Sequence, residues 1–332
     1  MGVRMGRPLG DLGTLVRCGR LAAGLPAAFA LARRMLDPLG NAYDDVVAPI
    51  VEHTITDCSE RVRAGNALHA MSAKIGLVML GYASMTGCDL RPEVAALAGA
   101  VTRLYDDLID GCMDASLDDR LGDLFSSRAS SAQSELERLL GALVAEIRQR
   151  VDQQQWDSVE VALSVLHEYQ CLSRRQRDEA VSLADLDKIC RGKGAMANLT
   201  LCSLVKARMA EDEREIVMAL GETFQALDDY MDIELDKRNG VSTLATLGVT
   251  TLSDIGLRMR VLCNRLAALY GRAAARPFSG MIFFLLLKSA VGRRLPVAGR
   301  ITRRLAGRSR AVVLLTRGPE ALSPCPGSGM DA

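Results

Sequence analysis

Apolar residues recur three and four positions apart through almost the whole 332-residue chain, interrupted only by short clusters of Gly, Asp, Ser or Pro. That spacing lines one stripe of an α-helix; the strict alternation a half-buried strand needs is nearly absent. The periodicity predicts helices over 15–35, 43–60, 66–85, 92–110, 132–151, 156–171, 183–209, 212–236, 252–273, 278–291 and 301–315. Pro92 behind Asp89, and Ser253-Asp254 at the start of the ninth run, read as capped entrances. Composition agrees: 49% of residues are hydrophobic but only 4% aromatic, a mixture of Ala, Leu, Val and Met that excludes an all-β architecture. With no fixed-period repeat and no long linker, the expectation is one all-α domain, a helical bundle. Its parts are a helical N-terminal extension over 1–40, the main helical domain over 41–291, a basic C-terminal helix over 292–320 and a disordered tail over 321–332.

Nine scattered cysteines with no C-x-x-C, beside three histidines, argue against a disulfide framework and a structural zinc site. They suit a reducing cytosol, so a cytoplasmic location is expected. The net charge of +1 hides an uneven distribution: nine basic residues and no acid lie between Lys288 and Arg317, leaving 32 bases against 40 acids elsewhere. This basic segment has no aromatics to stack on bases, so no nucleic-acid partner is expected. It reads either as a solvated helix or as a weak contact for an anionic membrane surface. No run reaches the roughly 18 consecutive apolar residues of a membrane span. Asp11, Arg17 and Arg20 interrupt what would be the apolar region of a signal peptide.

Two acidic clusters carry the chemistry. Leu104-Tyr105-Asp106-Asp107-Leu108-Ile109-Asp110 closes one predicted helix, and Phe224-Gln225-Ala226-Leu227-Asp228-Asp229-Tyr230-Met231-Asp232 lies inside another. Both contain D-D-x-x-D. With 25 Asp in the chain, about 0.1 such match is expected by chance, so the pair is informative. Asp106 and Asp110, like Asp228, Asp232 and Asp236, are four apart on one helical face, where like charges repel unless a cation intervenes. Carboxylates without His or Cys select hard ions, Mg²⁺ first and Mn²⁺ as a substitute. Because Mg²⁺ takes one or two carboxylates and fills its shell with water and phosphate oxygens, two opposed Asp faces suit a diphosphate held between them.

These residues resemble the trans-isoprenyl diphosphate synthase superfamily. Gly221-x-x-Phe224-Gln225-x-x-Asp228-Asp229-x-x-Asp232 is similar to the family's second aspartate motif almost letter for letter. Ile189-Cys190-Arg191-Gly192-Lys193-Gly194-Ala195 resembles its I-x-x-G-K-T-A segment, and Gly240-Val241-Ser242-Thr243-Leu244 resembles its G-K-x-T-L region with the basic residue missing. The likeness covers roughly 60–250 and implies the class I isoprenoid synthase bundle with a central active-site cavity. It further implies about three Mg²⁺ ions held by Asp106, Asp110, Asp228 and Asp232, with Asp107 and Asp229 in support. Lys193 and Arg191 are the implied diphosphate ligands, joined by Lys237 and Arg238, while Gln225 faces a metal-bound water or the early cation.

Two departures bear on activity. Where chain-elongating members carry the G-G-K-R-x-R-P segment for isopentenyl diphosphate, this chain reads His69-Ala70-Met71-Ser72-Ala73-Lys74-Ile75-Gly76. Where they carry R-R-G after the first motif, it has only Arg120. A second diphosphate needs several Lys or Arg donors. The resemblance therefore implies a class I terpene synthase, a cyclase that ionises one allylic prenyl diphosphate. Chain elongation with an atypical isopentenyl site and a non-catalytic prenyl diphosphate-binding subunit are the alternatives, and a homodimer is one assembly left open. The small residues Ala98, Val101 and Thr102 before the first motif imply room for a chain of C20 or longer.

Overall fold

The computed structural model describes residues 13–111, 114–126, 128, 131–178 and 180–292. The expected helix over 301–315, the basic segment from 293 and the tail lie outside the described residues, as do the first 12. Among the described residues all regular structure is helical. The helices are α1 (Leu25–Ala42), α2 (Ala48–Thr54), α3 (Cys58–Thr86), α4 (Pro92–Gly111), α5 (Ala115–Phe125), α6 (Glu135–Arg150), α7 (Gln153–Ser173), α8 (Leu183–Ser203), α9 (Glu211–Met231), α10 (Ile233–Arg238), α11 (Leu252–Tyr270) and α12 (Arg272–Gly292).

Local chemistry explains where the boundaries depart from the periodicity. The run over 43–60 is broken because Asp57 is an N-cap: in extended conformation its carboxylate accepts the Glu60 amide, so α2 ends and α3 begins there. A π turn over Tyr43–Val47 joins α1 to α2. Helix α5 was not anticipated, yet Leu117, Leu121 and Phe125 bury one stripe of it at four-residue spacing. The run over 212–236 splits at Asp232, whose φ of −95° and ψ of 8° leave the helical region. Gly271, at φ 85°, separates α11 from α12, and α12 runs through Pro277, so the last helix is longer than the sequence suggested. Its stretch Arg272–Val291 is long and apolar enough to cross a membrane. In the fold it packs against α1, α3 and α11.

The bundle closes as a ring. Helix α3 pairs with α4 and touches α12; α12 packs on α11, α11 on α9, α9 on α8, and α8 on α7. Helix α7 returns to α4 through Tyr105 and Gln170, described below. Two of the crossings close enough to require glycine bear on the acidic helices. A Cβ on Gly221 would lie 2.0 Å from the Gly194 carbonyl oxygen, and one on Gly194 would lie 2.3 Å from that of Gly221. A Cβ on Gly99 of α4 would lie 2.4 Å from Ser72 Cα on α3, where Ser72 Oγ also donates to the Ala96 carbonyl at 2.6 Å. Both crossings bring backbones, not side chains, into contact.

Gly221→Ala should therefore lower unfolding stability by about 1–3 kcal/mol through overpacking. A urea midpoint unchanged from wild type would contradict backbone contact between α8 and α9.

Candidate functional site

Asp106 sits in the last turns of α4, half-buried. Gln170 of α7, itself buried, donates from Nε2 to Asp106 Oδ1 at 2.9 Å. Loss of solvent pushes the Asp106 pKa up to about 7; Lys193 opposes that rise, and Asp110, Asp228 and Asp107 add to it. Carboxylates of α4 and α9 thus share one electrostatic environment with the ammonium of α8. Tyr105 turns the other way, its hydroxyl 2.7 Å from His167 Nδ1, while His167 Nε2 lies 2.9 Å from the Asp118 carbonyl oxygen. Since a carbonyl only accepts, Nε2 carries the proton and Nδ1 accepts from tyrosine, locking α4 to α7 and α5.

Asp107 is paired with Arg103 at 2.8 Å, both side chains about 10% exposed. Desolvation still lifts its pKa to about 6 against that guanidinium. It is a supporting residue on a different face from Asp106. Asp110 is exposed.

On α9, Asp228 is half-exposed and 3.8 Å from Lys74 Nζ of α3. Asp229 is turned toward α8: Gln225 Nε2 donates to its Oδ1 at 2.8 Å, and the Cys190 thiol also bonds it. Gln225 was expected on the Asp228 face; its bond one full turn ahead, to Asp229, makes it a residue that orients a carboxylate. Asp232, at the break after α9, and Asp236, on α10, lie beside Asp228 instead of on one continuous helical face, with pKa values lifted to about 6 and about 7, first by desolvation and then by neighbouring carboxylates. Lys288 of α12 lies here too, its pKa lowered by burial and by Lys74 while Asp228 and Asp232 counter both. It therefore shares the environment of these carboxylates.

Four basic candidates fall elsewhere. Arg191 is two positions from Lys193, hence on the opposite side of α8, where it pairs with Glu222 at 3.1 Å and Asp187 at 3.8 Å. Lys237 and Arg238 are exposed at the end of α10, and Arg238 Nε donates to the Glu234 carbonyl. Arg120 is committed to Glu137 at 2.7 Å, stapling α5 to α6. Sequence reasoning missed Gln170 and Lys288; Gln170 stands in no acidic or basic cluster.

Among the described residues no three His, Cys, Asp or Glu side chains converge to hold an ion unaided. The donor set nonetheless suits Mg²⁺: it is all oxygen, and its carboxylates are lifted in pKa first by desolvation and then by one another, a cost that a divalent cation would relieve. An apolar void of about 10 Å³ lies between α3, α8, α9 and α12.

No protein-family model and no curated protein matches this sequence. Among solved structures, the crystal structure of a geranyltransferase from Legionella pneumophila is similar, with a TM-score of 0.52 and 16% identity over 79% of this chain and 99% of that one. The likeness establishes the class of fold, an all-α bundle like that of this geranyltransferase.

The raised carboxyl groups bind more protons folded than unfolded, so they favour the fold at low pH and lose that contribution as pH rises through about 6 to 7. The melting temperature of chelator-treated protein should fall between pH 5 and 8 more steeply than that of Asp106→Asn, and Mg²⁺ should restore it more at pH 8 than at pH 5. Equal slopes for both proteins, or no effect of Mg²⁺ at pH 8, would contradict the repulsion.

Proposed function

We propose that this chain is a Mg²⁺-dependent class I terpene synthase that ionises one prenyl diphosphate of C20 or longer and cyclises or rearranges the carbocation. The observation that carries the reading is the meeting of Asp106, Lys193 and Asp228 from three helices in one electrostatic environment. Asp106, Asp110, Asp228 and Asp232 are the carboxylates that would hold the ions. Bound Mg²⁺ would supply neutralisation of the diphosphate and of the charge developing on it as it leaves. Lys193 would donate hydrogen bonds to the same group. Gln170 orients Asp106, and Gln225 with Cys190 orients Asp229. Phe224, one turn before Asp228 and half-buried, is the aromatic best placed beside the reacting chain. Half-buried Ile75, Val78 and Ala197 would keep water from the cation.

The residues near a second diphosphate favour one substrate over two. His69 packs its ring against Tyr43 at 4.6 Å, Lys74 faces Asp228, and Arg120 is engaged with Glu137. Chain elongation is the second reading, favoured by the geranyltransferase likeness in fold. A diphosphate-binding subunit without turnover is the third. A cytoplasmic location belongs to the same proposal.

Incubation with C10 to C25 prenyl diphosphates and Mg²⁺, with and without labelled isopentenyl diphosphate, separates the three. The expected outcome is hydrocarbon from a C20 or longer substrate with the label unused; label in an elongated chain overturns the cyclase in favour of elongation, and absence of any turnover favours the binding subunit. Asp106→Ala and Asp228→Ala should abolish turnover with helical circular dichroism intact, and Lys193→Ala should lower kcat by about tenfold or more. Activity within a few-fold of wild type, or indifference to chelator, contradicts the roles given to these residues.

A further inference from the structure

Between Ile255 and Pro319 the chain contains no acid. These 65 residues hold 14 Lys or Arg, where an even spread of the chain's 40 acids would place about eight. The remaining 267 residues carry 27 bases against those 40 acids. Six of the 14 bases stand on α11 and α12, and eight follow in 293–317. The charge asymmetry therefore begins inside the folded bundle, well before Lys288.

A second acid-free stretch, 12–36, packs on the same helices and brings Arg17, Arg20, Arg33 and Arg34. Arg17 donates to Ser253 Oγ at 2.6 Å and the Cys18 thiol to the Gly256 carbonyl oxygen at 3.3 Å, which lays the segment before α1 along α11. Arg276 Nε donates to the Ala23 carbonyl oxygen at 3.1 Å, and a Cβ on Gly280 would lie 2.3 Å from the Gly24 carbonyl group. The Phe29 and Phe284 rings meet edge-on at 5.8 Å. The segment before α1, α1, α11 and α12 thus form one side of the bundle. On it Arg20, Arg33, Arg34, Arg258 and Arg272 are exposed, and among the described residues none of these five pairs with a carboxylate. Bare apolar side chains stand with them: Val16 is 82% exposed, Phe29 52%, Leu257 53% and Val261 49%. Leu257 and Val261, four apart, share the outer face of α11.

We propose that this side of the bundle docks the protein peripherally on an anionic membrane surface, with the basic residues of 293–317 adding to the attraction. Arginines without local carboxylate partners pair with lipid phosphates, while the apolar side chains among them enter the boundary between headgroups and acyl chains. Nucleic acid would use the arginines but leave Val16, Leu257 and Val261 bare. The contact is on the surface and not across the bilayer. Although α12 is long and apolar enough to span, its Ala275, Phe278, Ile282, Leu286 and Ala290 are buried, and insertion would break its backbone contact with Gly24. Docking of this kind does not depend on the reaction proposed above.

The test is flotation of the full chain with phosphatidylcholine vesicles, either pure or containing about one-third phosphatidylglycerol. Wild type should bind the anionic vesicles about tenfold or more tighter than the neutral ones, and less tightly as salt is raised. The double variant Arg33→Glu, Arg34→Glu should weaken that binding about tenfold or more, and Leu257→Ser, Val261→Ser about threefold or more, with circular dichroism unchanged because all four side chains are exposed. Wild-type binding by either double variant overturns this side as the docking surface and leaves residues 293–317 as the source of any attraction. Equal binding to neutral and anionic vesicles, or none to either, overturns the proposal outright. So does tighter binding to single-stranded RNA than to anionic vesicles, or a dimer that forms without vesicle binding and is lost in Leu257→Ser, Val261→Ser; these make nucleic acid or a second copy of the chain the occupant.

Discussion

The contact on which the site depends is the backbone-to-backbone crossing of α8 and α9 at Gly194 and Gly221. A side chain at either position would push the helices apart, because its first carbon would overlap a carbonyl oxygen of the partner. With the helices in contact, Lys193 is held beside the acidic face of α9, and Cys190, one turn earlier, reaches Asp229. Nearby, Gly192 accepts the Tyr169 ring of α7, whose Cε1 would be 2.1 Å from an added Cβ. The three glycines of this region thus set distances between α7, α8 and α9 that no set of larger residues would allow.

The charges that converge there are not balanced. Asp106, Asp110, Asp228, Asp229, Asp232 and Asp236 meet Lys74, Lys193 and Lys288, and burial first, then the excess of carboxylate, raises pKa values in both acidic clusters. A soluble bundle gains nothing from that repulsion; it is tolerable if the site's working state contains cations. The first turn of α9 shows the contrasting solution, where Glu213 is satisfied by Tyr82, Lys206 and Tyr270.

Much of this was legible in the sequence, for reasons that differ by residue. The helical class followed from the 3.6-residue periodicity, and the acidic pairs stood out because like charges four apart have no structural use. Where the structure places residues away from their expected neighbours, the causes are physical. Arg191 was grouped with Lys193 by sequence proximity, though residues two apart on a helix point to opposite sides, as the Glu222 pair shows. Lys288 was counted only as the first charge of a basic stretch because the packing of α12 onto α1 and α3 is a tertiary fact. The Gln170–Asp106 and Tyr82–Glu213 bonds were invisible for the same reason: their partners are 64 and 131 residues apart. Helix α5 was passed over because its many acids mask a three-residue apolar stripe.

The central claim is that opposed carboxylates and Lys193 form a single site for a magnesium diphosphate, and calorimetric titration with inorganic diphosphate tests it most directly. The account predicts that Mg²⁺ raises the affinity for diphosphate at least tenfold, that diphosphate raises the affinity for Mg²⁺ by the same factor, and that Lys193→Ala weakens both. Equal diphosphate binding in chelator and in Mg²⁺, or binding that is indifferent to Lys193→Ala, would contradict it.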